Sequence, residues 1–472
     1  MGETGIYFQS DIDRGTGDPQ PLGTGRLDTK APGMTRAGLL GGLSYALDMT
    51  EGQPAGHSIR ATYIAMRLAG RLGLTRTEMG HVYYATLLKD LGCSSNAARI
   101  AELYATDDRD FKQAWKTVPV GLPATLRFVF SQTGRGAKLS TKIARIANIL
   151  KNGDGIAQEM IEARCTRGAD IARRLRFDEP VARAIYHLDE HFDGSGRPDG
   201  LAGEAIPVAS RIALLAQVAD VFHRHGGRDA AETEIAMRAG SWLDPKLTRQ
   251  FARIAGEHGF WCGLESPVVD AVVAGLAPED EVIAVDDDLL DDVAAAFGAV
   301  VDAKSPYTGG HSGRVAEYAG SMARALGMDD GRQRWLHRAA LLHDIGKLGV
   351  SSRVLEKPGK LEDSEWVEMR EHAGHTQAIL ARVGCFADMA GVASAHHEKL
   401  DGTGYPLGLC GHEIRQETRI ITLCDFYDAL TADRPYRAAM PQEKALQIIE
   451  SEIGKAVDGR AFEALRQTLA AA

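Results

Sequence analysis

The chain has 472 residues, 44% hydrophobic and 25% charged, with a formal net charge of −10; that length exceeds one ordinary core, and an acidic surface excludes a general binder of nucleic-acid polymers. No stretch approaches the roughly 18 apolar residues a membrane span needs, and no basic start leads into an apolar core, so neither a span nor a secretion signal is expected. The six cysteines (Cys93, Cys165, Cys262, Cys385, Cys410, Cys424) form no CxxC pair, which suits a reducing cytosol and a cytoplasmic protein and points away from disulfides or a cysteine zinc site.

Residues 1–34 are rich in Gly, Pro, Asp and Thr and read as a mobile tail. From Ala37 onward apolar residues recur at three and four positions, and strand-like alternation is rare, so an all-α fold is expected. Val315, Tyr318, Ala319, Met322 and Leu326 share one face of a helix that begins near His311. Trp335 to Leu342 reads as a second helix, and Arg419 to Leu430 as a third, apolar except for Asp425 and Asp428. The acidic run with Asp286-Asp287-Asp288 and Asp291-Asp292 fits both a junction and a helix start, because acidic side chains favour helix N-termini. These features divide the chain into the tail, a first unit over 35–262, a linking segment over 263–292 and a second unit over 293–472.

An internal repeat relates the two units. His57-Ser58-Ile59-Arg60 recurs as His311-Ser312-Gly313-Arg314, and Leu87-Leu88-Lys89-Asp90-Leu91-Gly92 as Leu341-Leu342-His343-Asp344-Ile345-Gly346. The step from the first His is 32 residues in both (89 − 57 and 343 − 311). Asp193-Gly194-Ser195-Gly196-Arg197-Pro198 answers Asp401-Gly402-Thr403-Gly404-Tyr405-Pro406, and the Ile of an Arg-Ile pair lies 15 residues further on in each (212 − 197 and 420 − 405). Three ordered matches with preserved spacing make the chain a tandem duplication. The first copy carries about 45 additional residues between Asp90 and Arg164.

Eight of the 15 histidines fall between His311 and His412. Imidazole with carboxylate suits Fe, Mn, Zn or Ni. His343-Asp344 closes an apolar helix, and Gly346 lets the chain turn away from it. His396-His397 is a second adjacent pair, and Asp425 lies in an apolar run where an unpaired carboxylate is costly.

His343-Asp344-Ile345-Gly346-Lys347, followed by His396-His397-Glu398-Lys399-Leu400-Asp401-Gly402-Thr403-Gly404-Tyr405-Pro406, resembles the HD-GYP subgroup of the HD metal-dependent phosphohydrolases. Tyr307 to Ser312, Met369-Arg370-Glu371-His372 and Asp425 to Arg437 fall in the family's order, and the resemblance spans about 295 to 465. It implies two divalent ions, Fe or Mn ahead of Zn. His311, His343, Asp344 and Asp425 would hold one; His372, His396 and His397 would hold the other, with Asp344 bridging. Some members hold a third ion through a Glu four residues before the first His; here that residue is Tyr307. The ions would activate a shared hydroxide against a phosphodiester, with Asp344 and Lys347 as catalytic groups. Tyr405, Arg434 and Arg437 match positions expected to touch substrate. The substrate implied is a cyclic dinucleotide, most readily cyclic di-GMP; another nucleotide or a mixed cyclic dinucleotide, or a dinucleotide-responsive interaction protein, are the alternatives. His337, His375 and His412 match no motif role, and Glu398 and Asp401 read as supports for the ligands.

The first copy departs from this pattern. Lys89 stands for His343, Cys93 for Lys347, and Arg164 or Cys165 for His372, depending on a one-residue gap. Leu188 and Asp189 stand for His396 and His397, and Gln217 for Asp425, with Asp220 one turn later. A degenerate copy without its metal site is expected, with Lys89 and Asp90 forming an internal ion pair. Its role is open among packing on the catalytic half, forming a homodimer and sensing a ligand or protein partner.

Overall fold

A glycine in the left-handed backbone region starts the same helix in each copy: Gly56 (φ 82°) before His57 and Gly310 (φ 71°) before His311. Non-glycine residues adopt that conformation at a steric penalty, so each glycine delivers its histidine as the first residue of a helix whose side chain turns inward. The computed structural model describes residues 35–119, 121–134, 139–278, 285–306, 309–433 and 438–471. Among these there is no strand, as the periodicity predicts; ordered backbone is helical apart from three isolated bridges.

Six helices of the first copy answer six of the second. We label α1 Arg36–Thr50, α2 His57–Leu72, α3 Arg76–Leu87, α4 Leu139–Arg174, α5 Glu179–Tyr186 and α6 Val208–Met237 in the first. In the second, α7 is Asp287–Asp302, α8 His311–Ala325, α9 Asp330–Leu342, α10 Asp363–Leu380, α11 Ala390–Ser394 and α12 Gln416–Thr431. The helix starts are chemically marked. Thr75 and Glu78 form a reciprocal capping box at α3, and Asp329 accepts from Arg332 N at α9. Asp48 accepts from Ser58 N and Oγ as Asp302 does from Ser312, tying α1 to α2 and α7 to α8 in the same manner.

The acidic run begins α7. Asp286 caps Leu289 N, and Arg334 and Arg338 of α9 pair with Asp287, Asp288 and Asp291. Within 263–292, Val269–Gly275 is a helix against α1 and α2, and residues 279–284 lie outside the described set. The expected tail over 1–34 also lies outside it. The additional residues of the first copy form helices Ala97–Tyr104, Asp108–Lys116 and Leu122–Gln132 and the start of α4. Ile100, Phe111 and Phe128 bury one another there, forming a small core of their own. The main core is continuous through both copies, running from Leu39 and Leu43 of α1 to Phe297 of α7 and Leu465 near the C-terminus. Burial on this scale, at about 25 cal/mol per Å² of apolar surface, binds the copies into one body.

Candidate metal centre

Asp344 is the middle of the site. It follows α9 on a short turn, is almost fully buried, and points its two oxygens in different directions. Oδ2 lies 3.5 Å from His311 Nε2 and 3.3 Å from His343 Nε2; Oδ1 lies 3.7 Å from His372 Nε2 and 3.5 Å from His396 Nε2. Asp425 Oδ1 lies 3.4 Å from His311 Nε2. Ligand atoms of His311, His343 and Asp425 fall within 4.8 Å of one another, and so do those of His372, His396 and His397. All seven residues expected as ligands are thus brought together, in two groups with Asp344 between them.

Hydrogen bonds on the far side of the rings fix their tautomers. His343 Nδ1 donates to Ala340 O (2.7 Å), His372 Nδ1 to Met369 O (2.5 Å) and His396 Nδ1 to Ala393 O (2.6 Å). Each ring therefore turns an Nε2 lone pair inward, the arrangement a metal-ligating histidine needs. His372 Nε2 and His396 Nε2 face each other at 3.4 Å, lone pair towards lone pair. His311 Nε2, His343 Nε2 and Asp344 Oδ1 are buried without a hydrogen-bond partner. Buried polar atoms left unpaired are costly, and converging lone pairs repel unless a cation lies between them. The donor set and these orphaned atoms fit divalent metal ions.

Titration of the groups reflects the same geometry. Burial disfavours a charged His311, but Asp344, Asp425 and Asp428 outweigh it and hold the imidazole well above its ordinary range. Asp344 and Asp425 are held well below the carboxylate range; burial opposes this, and His343 and Lys347 around Asp344 and His311 beside Asp425 override it. Burial pushes His372 down to about 3 and His397 well below its usual value, so both stay neutral and available as ligands.

Lys347 Nζ lies 2.5 Å from Asp344 Oδ2 at the rim of the cluster. The Tyr405 ring lies 4.8 Å from that of His397. Arg434, Arg437 and Tyr307 lie outside the described residues. Glu398 accepts the amides of Leu407, Gly408 and Leu409 at 2.6, 3.1 and 2.9 Å and so holds the Gly-Tyr-Pro loop, while Asp401 caps the turn at Thr403. His337 Nδ1 bonds to Ala316 O, in keeping with a structural role.

Three features were not read from the sequence. Asp428 accepts His311 Nδ1 at 2.6 Å and is gripped by Arg314 at 2.6 and 3.0 Å, so the His-Ser-x-Arg motif and Asp428 form one unit. Its sequence signal was a second acid one turn after Asp425 in an apolar helix. Arg370 stacks its guanidinium 5.4 Å from the centre of the Tyr405 ring. Gly346 has a different reason from the turn expected of it: a Cβ there would come within 1.9 Å of His372 O and 2.6 Å of Thr376 N. It is a close-approach glycine that lets the His-Asp turn lie directly on α10.

The first copy repeats the frame and replaces the centre. His57 Nδ1 bonds to Asp220 at 2.7 Å and Arg60 grips the same carboxylate, so Asp220 corresponds to Asp428. Gly92 packs on Arg164 O as Gly346 does on His372 O, which makes Arg164 the counterpart of His372. Lys89 pairs with Asp90 and Arg164 with Asp189, both at close range, and Lys116 reaches Glu51 at 2.7 Å. Side-chain cations occupy the space in which the second copy gathers imidazoles. Burial, reinforced by Lys89, pushes His57 down to about 4, opposite in sign to His311.

Similarity to known proteins agrees with this duplicated frame. A family model for the HD domain matches residues 137–247 and 297–461, in both copies. The chain belongs to the HD-domain family. A 3'3'-cGAMP-specific phosphodiesterase 3 of Vibrio cholerae is 51% identical over 427 residues, 90% of this chain and 93% of that one. A cyclic di-GMP phosphodiesterase of Thermotoga maritima is 35% identical over 180 residues, 38% of this chain and 49% of that one. The crystal structure of a cyclic GMP-AMP specific phosphodiesterase of V. cholerae matches with a TM-score of 0.64 at 44% identity, covering 92% of this chain and 98% of the other. Within the HD-domain family this chain is a phosphodiesterase of the HD-GYP type with a degenerate first copy. No helix among the described residues is long and apolar enough to cross a membrane.

Proposed function

We propose that the second copy, 293–472, opens a 3',3'-linked cyclic dinucleotide at a centre of two divalent ions, Fe or Mn, with the mixed guanine–adenine ring as substrate ahead of cyclic di-GMP. The first copy, 35–262, is assigned a non-catalytic part, joined through 263–292. One observation carries the reading of the centre: the two oxygens of Asp344 face separate sets of inward-turned Nε2 atoms. His311, His343 and Asp425 would hold one ion and His372, His396 and His397 the other, with Asp344 shared. When bound, such ions acidify a water and polarise a phosphoryl oxygen, and their charge attracts a dianionic substrate to an acidic protein.

The chain's own groups would do the rest. Asp344 fixes the separation of the two ligand sets. Lys347 offers an ammonium at the rim for a phosphate oxygen. Tyr405 and Arg370 form a flat aromatic and cationic wall against which a purine can stack. Arg434 and Arg437 are proposed to contact phosphate or guanine.

Resemblance over nine-tenths of the chain to a 3'3'-cGAMP-specific enzyme favours the mixed ring. Several relatives that match a smaller share act on cyclic di-GMP, and this makes that dinucleotide the second reading. The deciding experiment measures turnover of both dinucleotides by protein purified without oxygen, with metal content determined on the same sample. Faster cleavage of 3'3'-cGAMP at about two ions per chain in the catalytic centre is expected. Preference for cyclic di-GMP would reverse the order of substrates. Absence of bound metal after reconstitution with Fe and Mn would overturn the centre itself.

A further inference from the structure

A second cluster of ligand-type side chains lies in the degenerate copy, away from its Lys89–Asp90 pair. His187 follows α5, and its Nδ1 lies 3.8 Å from Glu190 Oε1 and 3.8 Å from Asp199 Oδ2. Ligand atoms of the three fall within 4.8 Å of one another. His187 and Glu190 are 6% and 2% exposed, and both His187 Nδ1 and Glu190 Oε2 are buried without any hydrogen-bond partner. A separation of 3.8 Å is too long for a hydrogen bond. It is close to the roughly 3.4 Å between two ligand atoms that share a tetrahedral ion at about 2.1 Å.

Comparison of the copies shows why these atoms are left over. Glu398 in the catalytic copy spends both oxygens on three loop amides. Its counterpart Glu190 accepts only Asp199 N, at 2.7 Å, and keeps Oε2 free. Where the catalytic copy has Ala395 and Leu407, this copy has His187 and Asp199. An imidazole and a carboxylate thus stand beside a carboxylate that keeps one amide where its counterpart has three. Neither histidine tautomer resolves the contact. A proton on Nδ1 finds no acceptor within reach, and a proton on Nε2 turns a lone pair towards two carboxylates.

We propose that His187, Glu190 and Asp199 bind a divalent transition-metal ion, distinct from the catalytic centre. One nitrogen and two oxygen donors suit Zn, Mn or Co. Asp199 is half exposed, which leaves a route from solvent and room for water to complete the coordination. The ion fastens the Gly-Arg-Pro loop to the end of α5, where the catalytic copy uses amide hydrogen bonds.

The test uses the full chain carrying His343→Ala, Asp344→Ala, His372→Ala and His396→Ala, which removes ligands of both catalytic ions, stripped with chelator and titrated with zinc chloride, with metal content measured after desalting. One zinc ion per chain is expected to remain, and to disappear on adding Asp199→Ala or His187→Ala. A background chain that keeps its helical circular dichroism and binds no zinc overturns the proposal. So does zinc binding that neither added substitution reduces. If that background fails to fold, the intact enzyme loaded with metal serves instead. Asp199→Ala then releases one ion per chain while turnover is retained, and an unchanged ion count overturns the assignment.

Discussion

His311 makes contacts on both sides of its ring, and the outer one sets what the inner one can do. Its Nδ1 bond to Asp428 fixes the tautomer and adds negative charge behind the ring, while Arg314 holds the carboxylate in place. Such outer partners typically contribute 10–100-fold in metal affinity or activity. Asp428→Asn keeps the shape and removes the charge. We expect turnover to fall by about 10–100-fold, with partial recovery at high metal concentration, read from rate against added Mn. Asp220→Asn alters the identical contact beside His57 and should leave turnover unchanged, because in that copy Lys89 stands in the place of the ligand His343. A rate loss in Asp220→Asn would mean that the first copy takes part in the reaction. The pair also shows how far a sequence can be read. His343-Asp344, His396-His397 and Asp425 draw notice by their pairing or their apolar surroundings, whereas His311 and His372 enter the ligand set only through the family resemblance. Asp425 and Asp428 are one turn apart in the same helix, both acidic, and only the direction each faces separates ligand from support.

At the scale of elements, the His-Asp turn must lie directly on α10 for His343, Asp344 and His372 to meet. Gly346 makes that possible, since a Cβ would meet the carbonyl of His372 itself, and Thr376 then closes the contact by accepting Gly346 N and donating to His343 O, each at 3.0 Å. Gly346→Ala forces the turn and α10 apart. Overpacking of this kind costs about 1–3 kcal/mol, but its larger effect falls on the centre, which spans the same gap. We expect Gly346→Ala to keep its helical circular dichroism and lose bound metal and turnover together. Retention of both would show that the two ligand sets do not depend on this contact. The helical periodicity, the repeat and the helix starts were legible because they are local: a glycine before a histidine, an acid at a first turn, apolar residues on one face. The purpose of Gly346 was not, because it is set by a carbonyl 26 residues away in sequence (372 − 346). Arg164 was ambiguous by one residue for the same reason, and Gly92 against its carbonyl resolves it.

The two copies share one core, and the additional helices of the first copy add polar contacts between them. Arg109 donates to Gly349 O and reaches Glu368 at 2.8 Å, and Asp108 accepts Ser352 N at 2.8 Å, so Asp108–Lys116 is fastened to the segment that follows Lys347. No periodicity in the sequence could reveal this, since the partners are at least 240 residues apart. Lys304 lies in the same seam, 1% exposed, with Nζ donating to Leu348 O at 2.7 Å. Burial pushes its ammonium down to about 8; Asp108 and Asp107 oppose this, and Lys112 and Arg109 add to it. The unfolded chain keeps the ordinary lysine value of 10.5, so between about 8 and 10.5 the unfolded state binds more protons than the folded one. Stability must then rise with pH across that window. Below it both states are protonated and the full penalty is felt, at most about 3 kcal/mol. Lys304→Met removes the titrating group at similar length, at the expense of the bond to Leu348 O, worth about 1 kcal/mol. Urea unfolding of the metal-free chain at several pH values reads the difference. We expect the variant to be the more stable protein at pH 7 and its advantage to shrink steadily from pH 8 towards 10.5. A difference that stays constant over that range would mean that burial does not depress the Lys304 ammonium, and that the copies are joined there without electrostatic strain.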